Sequence, residues 1–123
     1  MKKLFVLLNH SLNEAQLNEI KNLKVEKIIT LSDELWKNIP PHLQDISPLL
    51  QDYFNILKQE AREGDFLLVQ GDFGATYKMV EYAKSKNLIP LYATTHRETK
   101  ETKNNDGSTS KQTIFKHCIF RKY

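Results

Sequence analysis

A chain of 123 residues and 14.4 kDa has the size of one domain, with no room for a second core. Hydrophobic residues make up 40% and charged residues 27%, a balance that suits a folded globule rather than a disordered chain. The longest apolar run, Leu4-Phe5-Val6-Leu7-Leu8, falls far short of the roughly 20 residues a bilayer span needs. Two lysines precede it, but no small-residue cleavage site follows, so a signal peptide is not expected. The single cysteine, Cys118, excludes an internal disulfide and a zinc ribbon. The reading is a reduced, cytoplasmic, single-domain protein spanning residues 1–123, with no membrane association.

The net charge of +3 is unevenly placed. Residues 1–95 carry 11 Lys and Arg against 12 Asp and Glu, whereas residues 96–123 carry 7 against 3. A basic terminal quarter on a near-neutral body suits an anionic ligand or a nucleic-acid surface, and equally a solubilising edge hairpin.

In chain order, Lys3 to Asn9 predicts a strand buried on both faces. Ser11-x-x-Glu14 matches a capping box and opens a helix whose apolar stripe is Leu12, Ala15, Ile20 and Leu23. Val25 to Leu31 is a second strand. Ser32 to Ile46, with Pro40-Pro41, is a short helix plus an ordered loop. Ser47-Pro48 pairs an N-cap with proline at the first helical position, and Leu50, Tyr53, Phe54, Leu57 and Ala61 form the buried face of the helix that follows. Gly64 is expected at its C′ position.

Asp65 to Gly71 is a third strand, which turns through Gly71-Asp72-Phe73-Gly74-Ala75-Thr76 into a helix carrying Met79, Val80 and Ala83. Leu88 to Thr95 is a fourth strand. Beyond it, Asn104-Asn105-Asp106-Gly107 signals a turn and residues 111–123 are β-prone, so residues 96–123 form a basic antiparallel hairpin. Alternating strands and helices predict a small Rossmann-like α/β sandwich with a mainly parallel sheet and this hairpin appended.

Ligands of such sheets bind outside the carboxyl ends of the strands. Three predicted strand ends carry unusual polar segments: Asn9-His10-Ser11, Gln70 to Thr76, and Thr94-Thr95-His96-Arg97. In the middle segment two glycines let backbone amides approach a ligand at a helix N-terminus, where Gly74 could need positive φ. The same residues also read as a tight turn capped by Asp72 or Thr76. The segment matches neither the dinucleotide fingerprint nor the Walker A loop. His10 suits a general acid or base, or a loop histidine bonded to backbone. Ser11 suits a cap that can still face a phosphate. At most one of Thr94 and Thr95 faces a ligand, and Arg97 suits a phosphate fork or an exposed surface position. No metal-ligand spacing and no cofactor motif is present.

Lys2 to His10, Leu35 to Pro41, Val69 to Thr76 and Leu88 to Thr95 together resemble the small CRISPR-associated accessory family designated Csx-twenty, found with type III systems. The resemblance covers about residues 1–97 and is most specific in Gln70-Gly71-Asp72-Phe73-Gly74-Ala75-Thr76. It implies a Rossmann-like homodimer that acts as a ring nuclease on a cyclic oligoadenylate messenger, with cyclic tetra-adenylate as the ligand and no DNA partner. The alternative is a non-catalytic sponge or sensor for the same ring. The roles within such a site are read from the residues themselves and not carried over from the family: His10, Ser11, Thr76 and Arg97 form the catalytic set. Asn9, Gln70, Gly71, Asp72, Phe73, Gly74, Ala75, Thr94 and Thr95 bind the ligand.

Overall fold

The computed structural model describes residues 2–123. Its strands are β1 (Lys2–Leu7), β2 (Val25–Thr30), β3 (Phe66–Val69), β4 (Ile89–Lys103) and β5 (Thr109–Lys122); its helices are α1 (Glu14–Asn22), α2 (Glu34–Lys37), α3 (Gln51–Glu60) and α4 (Phe73–Ser85). The sheet order is β2-β1-β3-β4-β5. β1, β2, β3 and β4 are parallel, and β5 pairs antiparallel with β4. This is the expected α/β sandwich with its appended hairpin.

Alternation along β1 divides the core. Phe5 and Leu7, with Leu67 and Val69 of β3, pack against Trp36, Tyr53, Leu57, Met79 and Ala83 from α2, α3 and α4. Leu4, Val6 and Leu8, with Leu68 and Leu91, pack against Ile20 of α1. Both faces are covered, which is why Leu4 to Leu8 reads as one unbroken apolar run. At the amino edge the buried Asp65 carboxylate accepts the Lys3 and Arg62 amides at 3.0 and 2.8 Å.

Several boundaries differ from expectation. α1 is capped by Asn13, not Ser11: the Gln16 amide donates to Asn13 Oδ1 at 2.8 Å, and the Asn13 amide donates to Gln16 Oε1 at 3.1 Å. That reciprocal box turns Gln16 inward, where it is buried, and leaves Ala15 exposed. Ser47 begins a 3-10 turn (Ser47–Leu50) with no side-chain cap, and this turn leads into α3. α3 ends at Glu60, so Gly64 is not its C′ residue; its φ of +88° belongs to the turn before β3. α2 falls within the expected short-helix stretch, with Asp33 as its N-cap at 3.0 Å from the Trp36 amide.

The largest departure is β4. It does not stop at Thr95 but runs to Lys103 and forms a long arm with β5, closed at Asn104–Ser108 by Gly107 at φ +86°. An irregularity lies where Ala93 pairs with Phe120 and Thr95 with His117, so that two residues of β5 oppose Thr94. The bulge brings both His117 and Phe120 to the α1 side. There the Glu19 carboxylate accepts His117 Nε2–H at 2.5 Å and the Phe120 amide at 2.8 Å. An isolated hairpin is marginal in water, so this docking holds the arm to the body.

Replacing Glu19 with alanine strands the Phe120 amide and the largely buried His117 ring. Urea unfolding of Glu19→Ala is expected to show a loss of about 1–3 kcal/mol. Amide exchange at Phe120 should accelerate relative to β1. Unchanged stability and exchange would show that Glu19 does not hold the arm.

Candidate functional site

The chain runs from β1 outward to β2 and then back past β1 to β3, so the switch point of the sheet lies between β1 and β3. The carboxyl ends of β1, β2 and β3 and the bend of β4 all lie along one edge. This edge places the residues expected from the sequence, but not as a single cluster.

Asn9, His10 and Ser11 are exposed on the loop after β1. His10 Nδ1 lies 2.8 Å from the Ser11 carbonyl oxygen. A carbonyl can only accept, so in the neutral ring Nδ1 carries the proton and Nε2 keeps its lone pair. His10 and Ser11 line a cleft of about 350 Å³ between α1 and the ends of β1 and β2. Its apolar walls are Val6, Leu12, Leu17 and Ile28, and its remaining polar lining is Thr30, Ser32 and Lys37. Ser32 is already committed: its hydroxyl accepts the Leu8 amide at 2.9 Å and donates to the Val6 carbonyl at 3.3 Å, pinning the loop that carries His10.

The segment after β3 is built around Trp36. Gln70 donates its amide to Leu7 at 3.0 Å, accepts the Ala93 amide on Oε1 at 2.9 Å, and accepts the indole N–H of Trp36 on its carbonyl at 3.1 Å. Its side chain therefore ties β3 to β4. A Cβ on Gly71 would stand 2.9 Å from the Trp36 indole, so this glycine admits the indole. Asp72 caps α4, accepting the Ala75 amide on Oδ2 at 3.0 Å, and the Thr76 amide bonds to the Asp72 carbonyl at 2.8 Å. The amides of Ala75 and Thr76 are thus already taken, and a carboxylate already occupies the favourable end of the helix dipole. Gly74 is helical and does not adopt positive φ; a Cβ there would make ordinary contacts at 3.5 and 3.6 Å. Thr76 Oγ1 is buried without a partner, and Phe73 is 95% exposed.

The residues expected after the fourth strand lie within β4. The Thr94 hydroxyl bonds to both the amide and the carbonyl of Ile119 at 3.0 Å, closing the bulge. Thr95 sits opposite His117. Arg97 lies on the arm, its guanidinium 5.2 Å from the centroid of the Phe115 ring. Among the described residues, the cleft beside His10 is lined by none of Gln70 to Thr76 and none of Thr94 to Arg97. His10 and Ser11 come together; Thr76 and Arg97 do not join them.

Sequence reasoning passed over Thr30, Ser32 and Lys37. The available signal was the second strand: in a parallel sheet its carboxyl end, Thr30-Leu31-Ser32, belongs on the same edge as the other three.

The two glycines of this edge separate in a mutational test. Gly71→Ala drives a methyl into a buried indole and is expected to cost about 1–3 kcal/mol in chemical denaturation. Gly74→Ala should be neutral or stabilising by about 0.4–1 kcal/mol. Equal effects at the two positions would contradict the assignment of Gly71 to Trp36.

Comparison with known proteins adds a lineage to this geometry. A protein of Methanocaldococcus jannaschii described as "Uncharacterized protein MJ1673" is 48% identical over 127 residues, covering 100% of this chain and 98% of its own length. No solved structure matches the chain. The model of the Uncharacterized protein MJ1673 family matches residues 2–121, and the chain belongs to that family.

Proposed function

We propose that this chain binds a cyclic oligoadenylate, with cyclic tetra-adenylate as the ring, at the carboxyl edge of its sheet. There it cleaves the ring without a metal ion, in the cytoplasm, ending a type III CRISPR signal. The observation that carries the reading is His10, an imidazole of defined tautomer whose Nε2 is unpaired beside a cleft with hydroxyls, a lysine and no lining carboxylate. The resemblance of Gln70 to Thr76 and its companion segments to the Csx-twenty family supports it.

The chemistry needs little beyond placement. An adenosine 2′-hydroxyl attacks its own 3′-phosphorus; the 2′-O–P bond forms as the P–O5′ bond breaks. The products are a 2′,3′-cyclic phosphate and a 5′-hydroxyl. His10 Nε2 accepts the 2′-hydroxyl proton, and water supplies the proton to the leaving 5′-oxygen. Orientation in line supplies much of the acceleration. A ring of four phosphates has symmetry that a two-fold dimer matches, each protomer offering one edge.

A sponge or sensor is the second reading, and one observation favours it: Asp72 already holds the α4 amide that could have stabilised a phosphorane.

Incubation with cyclic tetra-adenylate in EDTA, with products resolved by chromatography and mass followed by light scattering, tests the proposal. A liganded dimer and linear products are expected. His10→Ala should lower the single-turnover rate by about 10²–10⁴-fold while affinity stays within a few-fold. Dependence on added magnesium or manganese would overturn the metal-free mechanism. Wild-type cleavage by His10→Ala would remove His10 from it, and tight binding without cleavage would establish the sponge.

A further inference from the structure

We infer that Lys37 is the phosphate-holding residue of the His10 cleft, and that the exposed Leu17 and Ile28 of the same cleft carry the base or ribose attached to that phosphate. The inference rests on the ring-binding reading and names the subsite within it.

Lys37 lines the cleft, and no carboxylate lines it. The acids nearest to Lys37 in sequence are engaged elsewhere. Asp33 Oδ1 accepts the Trp36 amide at 3.0 Å and the Tyr53 hydroxyl at 2.5 Å, and the Glu34 carboxylate accepts Asn38 Nδ2 at 3.4 Å. Among the described residues the Lys37 ammonium pairs with no carboxylate. An unneutralised cation lining the same cleft as an imidazole attracts an anion and disfavours a cationic ligand.

Lys37 follows Trp36, which is 1% exposed, so the backbone that carries the lysine is anchored in the core while its ammonium reaches into solvent. A flexible ammonium holds phosphate as a point charge without demanding one orientation.

Leu17 and Ile28 are each 41% exposed and both line this cleft. A ligand with a charged group and an apolar body fits such a lining, whereas inorganic phosphate would use only the lysine side.

Lys37 is argued to bind and position, so the test separates affinity from rate. Calorimetry with cyclic tetra-adenylate is expected to show about ten-fold weaker binding for Lys37→Gln, with Lys37→Arg retaining most of the affinity. Ile28→Glu, which places a carboxylate on an already exposed wall, should weaken binding at least as much. The cleavage rate of saturated Lys37→Gln should fall far less than that of His10→Ala. If wild type binds and cuts the ring while Lys37→Gln and Ile28→Glu bind it equally well, the subsite assignment falls and the ring-binding reading stands. If wild type neither binds nor cuts, the reading itself falls and takes the subsite with it.

Discussion

The indole of Trp36 is the constraint on which the carboxyl edge depends. It is buried, its N–H donates to the Gln70 carbonyl at 3.1 Å, and its ring meets Tyr53 edge-on with centroids 5.7 Å apart. One side chain thus joins the crossover between β2 and β3 to the end of β3. Tyr53 returns its hydroxyl to Asp33, the cap of α2, and burial followed by the Asp33 carboxylate pushes that phenol well above its ordinary range. The phenol is therefore protonated, and a donor, at neutral pH. Because the indole lies against Gly71 on its own side of the sheet, the open space at this edge is on the α1 side, beside His10.

The hairpin obeys a different logic. Its outer arm has little core of its own, and its attachments lie near the body. Glu19 receives His117 and Phe120, and the Tyr123 hydroxyl donates to the Val69 carbonyl. Burial raises the Tyr123 phenol to about 12, which keeps that donor protonated. The arm carries Arg97, Lys100, Lys103, Lys111 and Lys116, two of them paired with Glu101 and Glu98. Its basic character is partly neutralised along the arm itself.

The order of strands and helices was legible because short unbroken apolar runs, such as Leu4 to Leu8, alternate along the chain with stretches of period-3.6 hydrophobicity. The turn at Asn104 to Gly107 was legible for a related reason: it requires a residue at positive φ, and glycine supplies it. Local competition hid the rest. Ser11 and Asn13 both satisfy a capping pattern, and the choice went to the residue whose partner, Gln16, could fold back. What was hidden is that the fourth strand and the first strand of the hairpin are one continuous β4: Thr94 to Lys103 is polar, and that stretch is held by pairing with β5, which lies at the far end of the chain. Gly71 read as a ligand approach because an indole and a ligand make the same demand on a backbone. Lys37 carried no local signal, and only the parallel placement of β2 brings it to the cleft that His10 lines.

His10, Ser11 and Lys37 come from two crossovers, after β1 and after β2, and meet only because both strands end on one edge. That convergence is the basis for reading the edge as a site. The most direct test is a crystal structure with a cyclic tetra-adenylate whose 2′-hydroxyls are methylated, so that the ring binds without being cut. The account predicts a phosphate between His10 Nε2 and the Lys37 ammonium, with the attached nucleoside on Leu17 and Ile28. A ring bound instead at Phe73 and the start of α4, or on the hairpin arm, would contradict it.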